Sequence, residues 1–239
     1  MNEKRSMNRL SVFLVVLSVL AGCATPISTQ YRPDSYYDSP SSSQFEGSLF
    51  SGDSATLSDD AIRTILAYKY EPPALSRIAL MPFGREIWSS WSEELALASE
   101  RMQSEVLDRL RASPRVYDAS YLPSILVPEN RTVPHLREAA ARYQADLLLV
   151  YRSYCQSFDR YRLFAADKSR AYCGVEAVLL DTGTGLVPFT TVTSRLYDVV
   201  ENAADTNFRE TRLRAQLDAT AAAMGDVSNE IVQFLAAGN

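Results

Sequence analysis

The chain has 239 residues with 24 basic and 29 acidic side chains, which gives a formal net charge of −5 at pH 7. This balance lacks the basic excess that indicates nucleic-acid binding. The length suits one domain with a terminal extension, and no apolar run after residue 22 is long enough to cross a membrane.

The N-terminal segment has the layout of an export signal. Lys4, Arg5 and Arg9 precede a short apolar run that ends at Gly22. A basic start, about a dozen apolar residues and small residues before a cut are the parts of a signal peptide. The run is too short for a helix that crosses about 30 Å of hydrocarbon. This disfavours an uncleaved membrane anchor, and a plain secretory signal stays as an alternative.

The stretch Leu20-Ala21-Gly22-Cys23 resembles the lipobox of bacterial lipoproteins. In that family the cysteine thiol receives a diacylglycerol, the signal is cut before the cysteine, and the new amine is acylated. The resemblance therefore implies a mature chain that begins at a lipidated Cys23 with palmitate-type chains, of which each buried methylene contributes about 0.8 kcal/mol to membrane binding. Because Ala24 rather than Asp follows, it also implies the outer membrane, facing the periplasm.

A tether and a body follow the lipidation site. Residues 24–57 are rich in Ser, Pro, Tyr, Asp and Gly, and such a composition buries too little apolar surface to offset the entropy cost of ordering. We therefore predict a signal peptide over 1–22, a lipidated cysteine with a flexible tether over 23–57, and a periplasmic domain over 58–239.

Periodic patterns of apolar residues define the elements of the body. A helix begins at Ser58 with apolar side chains on one face, and Pro72 ends it. Ser90 and Glu93 have the spacing of a capping box, which begins a helix that runs to Arg111. The remaining predicted elements are strands over 77–83, 115–118, 146–155, 172–180 and 187–199, a helix that begins at Pro134, and a helix over 208–235.

The order of these elements predicts the fold class. Strands and helices alternate in the first half, as in α/β units with parallel strands. Consecutive strands then follow as hairpins, so the sheet should be mixed. We predict a single α/β (α+β) domain with three layers, a mixed sheet of about five strands, flanking helices and a long C-terminal helix.

The residues that carry most enzyme chemistry are scarce. His135 is the only histidine, whereas a Ser-His-Asp triad needs a supported histidine and a zinc site needs several His or Cys ligands at set spacing. The sequence has no glycine-rich loop that would hold a phosphate. We therefore predict no catalytic residue, no cofactor, no metal, and a protein that is not an enzyme.

Asp181-Thr182-Gly183-Thr184-Gly185 is the one stretch with an enzyme-like pattern. It resembles the catalytic turn of retroviral-type aspartic proteases, in which two carboxylates share a proton. It also lies between two predicted strands, where Asp and Gly supply the geometry of a turn. The turn is the favoured interpretation.

Cys155 and Cys173 are the two cysteines beyond the lipid site. Each falls on the more apolar face of its predicted strand, because alternate side chains of a strand share a face. An antiparallel pairing of the strands can place them opposite one another, and an oxidising compartment favours a disulfide. We predict the bridge. A redox role is less favoured because the two cysteines lack Cys-x-x-Cys spacing.

Two surface segments are candidate partner-binding regions. Arg85, Trp88 and Trp91 follow the first strand, and ligands of open α/β sheets bind at the carboxyl ends of strands. Arg160 and Arg162 lie in a predicted basic and aromatic loop over 157–170, which suits an acidic partner or lipid headgroups. The alternatives are that the tryptophans cover the edge of the core and that the loop is a solvated hairpin tip.

Three stretches of the body carry a resemblance to known envelope proteins. Residues 78–83, 145–150 and 180–185 are similar to parts of the periplasmic α/β domains of the curli-secretion lipoprotein and the Tol-system propeller protein. More narrowly, residues 45–200 resemble the rhombotarget lipoproteins. Together with the missing enzyme chemistry, this predicts a non-enzymatic adaptor, attached to the membrane by lipid, that binds a protein partner in the envelope. An envelope hydrolase with unidentified carboxylates and a ring-forming secretion accessory are the alternatives.

Overall fold

The computed structural model describes residues 49–50, 57–84, 93–160, 166–201 and 207–237. These residues contain four α-helices and five β-strands. The helices are α1 (Asp59–Ala67), α2 (Glu93–Arg111), α3 (Val133–Arg142) and α4 (Phe208–Ala237), and the strands are β1 (Ser76–Pro82), β2 (Val116–Tyr121), β3 (Leu147–Arg160), β4 (Lys168–Asp181) and β5 (Phe189–Val200). None of the described helices has the length and apolarity to span a bilayer.

The strands form one mixed sheet in the order β2-β1-β3-β4-β5. β1 pairs in parallel with β2 and β3, whereas β4 pairs antiparallel with β3 and β5. Parallel neighbours need crossover connections, and α2 and α3 lie in the two crossovers. The chain moves outward from β1 to β2 and then back past β1 to β3, so right-handed crossovers place the two helices on opposite faces of the sheet. The predicted fold class and mixed sheet are confirmed.

Two hydrophobic clusters, one on each face of the sheet, make the three layers. On one face α2 and α4 pack against the sheet, where Ile78 and Leu80 of β1 are fully buried. On the other face α3 packs over Ala79 and Met81. Because side chains of β1 alternate between two buried clusters, its sequence is a continuous apolar run.

The β3–β4 hairpin is longer than the sequence predicts. The strands reach Arg160 and Lys168, so half of the predicted loop over 157–170 is strand and that boundary was wrong. Most residues after Cys155 are polar, so the sequence pattern does not show that the strand continues. In the structure these residues gain cross-strand partners, as where Ser169 donates to Asp159 at 2.9 Å, and such pairs stabilise a sheet.

Helix α1 is present but contributes nothing to the core. Ser58 caps it by accepting a hydrogen bond from the backbone N–H of Ala61 at 3.2 Å. Tyr68 is already extended, so the helix ends before Pro72. No residue of α1 is buried, and the residues of its predicted apolar face are exposed to 42% at Ile62, 39% at Ile65 and 80% at Leu66.

Candidate binding face

A disulfide joins Cys155 of β3 to Cys173 of β4. The two residues are direct partners in the antiparallel ladder, and their Cα atoms lie 4.2 Å apart. Such a short separation is typical of a non-hydrogen-bonded pair, the arrangement that brings cross-strand side chains closest. The predicted bridge is confirmed, and Cys173 is fully buried.

The strand register at the disulfide also determines which side chains of β3, β4 and β5 lie on the face of the sheet opposite to the two cysteines. On that face Leu148 and Leu180 are buried together with α3. Farther along the strands the face reaches solvent, and Val192, Leu196 and Val200 are 50%, 53% and 46% exposed. We call this region the open face. Its cross-strand rows are Arg152–Glu176–Val192, Tyr154–Gly174–Ser194, Gln156–Tyr172–Leu196, Phe158–Arg170–Asp198 and Arg160–Lys168–Val200.

The open face exists because the helices on the two sides of the sheet differ in length. α4 has 30 residues and α3 has 10. At a rise of about 1.5 Å per residue these helices are roughly 45 Å and 15 Å long. The 14-residue strands β3 and β4 are each roughly 46 Å long. α4 is therefore long enough to follow the whole hairpin on one side, whereas α3 covers only the beginning of it on the other.

Charges in two rows of the open face are paired across the strands. Arg152 donates to Glu176 at 2.6 Å, and Arg170 donates to both carboxylate oxygens of Asp198 at 2.6 and 2.8 Å. Both pairs are direct ladder partners. The hydrogen bonds from Arg170 hold the pKa of Asp198 below its ordinary value, and the same bonds raise the pKa of the Arg170 guanidinium.

Aromatic side chains occupy the middle rows of the open face. Tyr154 lies across its ladder partner Gly174, where a Cβ atom would overlap the phenol ring. Covering a cross-strand glycine in this way is a known role of aromatic residues in sheets. Phe158 and Tyr172 are half-buried in the next rows. The open face thus combines aromatic and aliphatic surface with two ion pairs, and its last row, Arg160–Lys168, is basic.

A cleft of about 290 Å³ adjoins the open face near the carboxyl end of β1. Open α/β sheets bind ligands at the carboxyl ends of their parallel strands. The cleft is just below the size of small-molecule sites, about 300–1,000 Å³, so it suits a single side chain of a partner. It is lined by Leu49, Phe50, Phe83, Val150, Tyr151, Arg152, Glu176 and Val178.

Arg160 is the one predicted partner-binding residue that falls within the described part of the chain. It is exposed at the end of β3, opposite Lys168 in the ladder, and it borders a pocket of about 320 Å³. The pairing of Arg170 with Asp198 lowers the excess of positive charge that the sequence predicts here. The other predicted residues, Cys23, Arg85, Trp88, Trp91 and Arg162, lie outside the described residues.

The Asp181 motif forms the turn between β4 and β5, as the favoured interpretation has it. Asp181 Oδ1 accepts hydrogen bonds from the backbone N–H and the hydroxyl of Thr184 at 2.6 and 2.7 Å. Gly185 has a φ of +77°, which glycine adopts without strain, and Arg137 donates to two carbonyl oxygens of the turn. Tyr70 donates to Asp181 Oδ2 at 3.3 Å, and burial followed by the Asp181 charge raises the pKa of that phenol. The Asp181 carboxylate therefore accepts hydrogen bonds that hold the turn in place.

His135 is exposed near the start of α3, where its Nδ1 lies 2.8 Å from the hydroxyl of Thr132. This contact is local to the first turn of the helix. Within the described ranges, no three His, Cys, Asp or Glu side chains are grouped so that they could hold a metal ion.

No protein-family model matches the chain, and no curated protein matches it. Among solved structures, the hypothetical protein CT253 from Chlamydia trachomatis is 10% identical, with 70% of this chain and 100% of that chain covered and a TM-score of 0.41. The PelC dodecamer from Paraburkholderia phytofirmans is 15% identical, with 71% and 92% covered and a TM-score of 0.32. Lipoprotein GNA1162 from Neisseria meningitidis is 10% identical, with 67% and 98% covered and a TM-score of 0.30. At these identities and TM-scores the matches assign neither a family nor an activity.

The sequence pattern alone does not reveal the open face, although the positions of the two cysteines predict part of its register. Once Cys155 and Cys173 are taken as direct antiparallel partners, counting outward from them places Arg152 opposite Glu176. Opposite charges at facing positions indicate a surface ion pair. The predicted disulfide therefore also predicts the register of one row of this face.

Proposed function

We propose that the protein is a lipid-anchored bacterial envelope protein that binds a partner protein and is not an enzyme. The lipobox-like stretch that ends at Cys23 supports the anchor, and Ala24 supports the outer membrane, facing the periplasm. The disulfide between Cys155 and Cys173 suits a protein that is exported to an oxidising compartment. The resemblance to rhombotarget lipoproteins agrees with this proposal.

The open face is the observation that carries the binding part of the proposal. Protein interfaces are enriched in aromatic residues and arginine and depleted of other charged residues at their centres. Tyr154, Phe158 and Tyr172 supply the aromatic surface. Arg152 and Arg170 have their counter-ions beside them. A partner can therefore cover the four rows from Arg152 to Arg170 without leaving an unpaired charge in the interface, and the basic Arg160–Lys168 row would lie at its rim.

The adjoining cleft adds an anchor point to the open face. Interfaces gain much of their affinity from one or two side chains that fill a desolvated pocket. The apolar walls of the cleft, which include Phe83, Val150 and Val178, suit an aliphatic or aromatic side chain. We therefore expect the partner to present one large apolar side chain beside its contact with the open face.

Photo-cross-linking in intact cells tests this binding surface. A photoreactive amino acid replaces Tyr172 in the middle of the open face. The matched control carries it at Tyr117, which is 56% exposed on β2, at the opposite edge of the sheet. We expect a discrete covalent adduct from position 172 and none from position 117. Equal adducts from both positions, or none from position 172, would refute the proposed surface.

Lipid labelling tests the anchor separately. Cells fed a radiolabelled fatty acid should label the natural chain, and the Cys23→Ser variant should lose the label and partition into buffer rather than detergent. The fatty acid has no other attachment site in the proposal, so a Cys23→Ser chain that still carries label would end it.

Activity assays test the absence of catalysis. We expect the purified protein to leave peptidoglycan and peptide substrates intact. If the natural chain cleaves a peptide and the Asp181→Asn variant does not, the aspartic-protease interpretation of the turn would instead be supported.

A further inference from the structure

β5 is an outer strand of the described sheet, and it lacks the features that usually block such an edge. Its 12 residues are in unbroken register with β4, without a bulge, and include neither proline nor lysine. Both of its charged side chains are paired within the domain, Arg195 with Asp226 at 2.7 Å and Asp198 with Arg170 at 2.6 Å. Natural edge strands are normally protected by bulges, proline, charged side chains, especially lysine, or a covering helix or loop. Among the residues that the structure describes, no further strand pairs with β5, and its two charges are held within the domain, so its outer edge can accept another strand.

The distance at the disulfide indicates which backbone groups of β5 are unpaired in the sheet. Cys155 and Cys173 form a non-hydrogen-bonded pair, so the N–H and C=O of Cys173 are directed to β5, where Arg195 is its partner. Along β5 the direction alternates from residue to residue. Backbone groups of even-numbered residues such as Ser194 and Leu196 are therefore directed outward, and an extended strand is the partner that such a row fits.

We propose that the added strand is β5 of a second copy of this chain, antiparallel and related by a twofold axis at Leu196. In this register Leu196 faces its own copy and Val192 faces Val200, so the exposed aliphatic side chains of the strand meet one another. On the other face of the sheet Arg195 lies opposite Tyr197, an arrangement that allows a cation–π contact.

Neighbouring registers are less favourable. An axis at Arg195 would place two guanidinium groups directly opposite each other, and like charges at facing positions destabilise a pair of strands. An axis at Ser194 would leave Val200 facing Pro188, which lies beyond the strand and has no N–H to donate. The axis at Leu196 opposes no like charges and uses all three exposed aliphatic residues.

The pairing goes beyond the proposed function and has a consequence for it. An isologous pair of edge strands has its twofold axis perpendicular to the sheet. Both open faces then lie on the same side of one continuous sheet, which doubles the surface offered to a partner. The dimer itself requires no partner protein, so its test is independent of the adaptor role.

Disulfide cross-linking of the full chain, purified in detergent micelles, tests the dimer. Leu196→Cys places two thiols across the axis, with Cα atoms about 5.5 Å apart in a hydrogen-bonded pair, which is within the range of a disulfide. Tyr117→Cys, exposed on β2, is the matched control for random collision. In the parent chain Cys23 carries lipid under the proposed function, and Cys155 and Cys173 are bridged, so this chain measures the background of covalent dimer. After mild oxidation we expect a yield of covalent dimer at least about tenfold higher from position 196 than from position 117.

Substitutions at Ser194 test whether the backbone edge is responsible. In the Leu196→Cys chain, Ser194→Pro removes an outward N–H and keeps the ladder with β4, because proline is tolerated where the N–H faces solvent. We expect Ser194→Pro to lower the yield of dimer about tenfold and Ser194→Ala, which keeps the N–H, to leave the yield unchanged. Circular dichroism verifies that each variant is folded.

A side-chain variant keeps the proposal falsifiable if the proline variant does not fold. Leu196→Lys opposes two positive charges at the axis and alters an exposed position only, so we expect at least about a tenfold rise in the dimer dissociation constant by sedimentation. Equal cross-linking from positions 196 and 117 would overturn the proposal. A folded Ser194→Pro chain with an unchanged yield of covalent dimer would do so as well. So would assemblies larger than a dimer that remain intact in the Leu196→Lys variant.

Discussion

At the residue scale, Gly174 shows how one position is dictated by its cross-strand neighbour. Glycine weakens a strand in general, yet here the ring of Tyr154 occupies the space above it. We expect Gly174→Ala to lower the free energy of unfolding by about 1–2 kcal/mol, because the added methyl group forces the ring aside. Thermal unfolding should show this as a fall in Tm of about 2–8 °C.

A double-mutant cycle gives the control for this prediction. In a Tyr154→Ala chain the space above Gly174 is free, so the added Gly174→Ala should cost little or nothing. Contacting residues normally show such coupling. Additive losses in the double variant would mean that the ring of Tyr154 is not the reason for the glycine.

Asp218 allows a prediction about pH. Burial on α4 raises the pKa of its carboxyl, against a smaller opposite effect of Arg214 and Arg101. Because the folded-state pKa lies above the unfolded value, the ionised form is disfavoured in the folded chain, and stability is regained as the pH falls through the folded pKa. We expect Asp218→Asn to raise Tm by about 1–3 °C at neutral pH and to lose this advantage in acid.

Thermal unfolding from neutral to acidic pH measures this dependence. Glu129→Gln, a charge removal at an exposed loop position, is the matched control and should leave Tm unchanged throughout. An Asp218→Asn advantage that grew as the pH fell would contradict the assignment of the shift to burial.

At the scale of elements, the sequence predicts what depends on apolar periodicity and fails where polar residues form regular structure. β1, the first half of β3 and α4 are apolar enough to be recognised, and their order determines the mixed sheet. The end of β3 after Cys155 is polar, and its pattern predicts a loop, because its stability comes from pairing with β4 rather than from burial. The apolar stripe of α1 is real, but periodicity cannot tell whether another element covers it.

The disulfide yields a prediction at the same scale. A bridge between residues 18 apart stabilises by about 3 kcal/mol in the chain-entropy model. The double variant Cys155→Ala/Cys173→Ala should therefore lower Tm by roughly 6–12 °C. The natural chain after reduction is the matched control, because it loses the bridge and keeps the packing of Cys173, and it should fall by a similar amount. A reduced chain with an unchanged Tm would contradict the contribution of the bridge.

At the scale of the whole molecule, the open face arises from a mismatch between helix and strand lengths. The predicted lengths already contain part of this information, since the C-terminal helix is long and the helix from Pro134 is short. The predicted strands are too short to reveal the mismatch, because they lack the polar end of the hairpin. The candidate site could therefore be predicted only in part, through the cysteine register and the exposed Arg160.

If a partner covers the open face in the native envelope, a cysteine placed on that face should react with a labelling reagent more slowly there than in the purified protein. Tyr172→Cys and the control Tyr117→Cys are each treated with a maleimide, once in isolated native envelopes and once as purified protein. We expect envelopes to slow labelling at position 172 about tenfold relative to the purified chain, which corresponds to about 1.4 kcal/mol of protection, and to leave position 117 unchanged. Equal rates at position 172 in both preparations would show that no partner covers the open face.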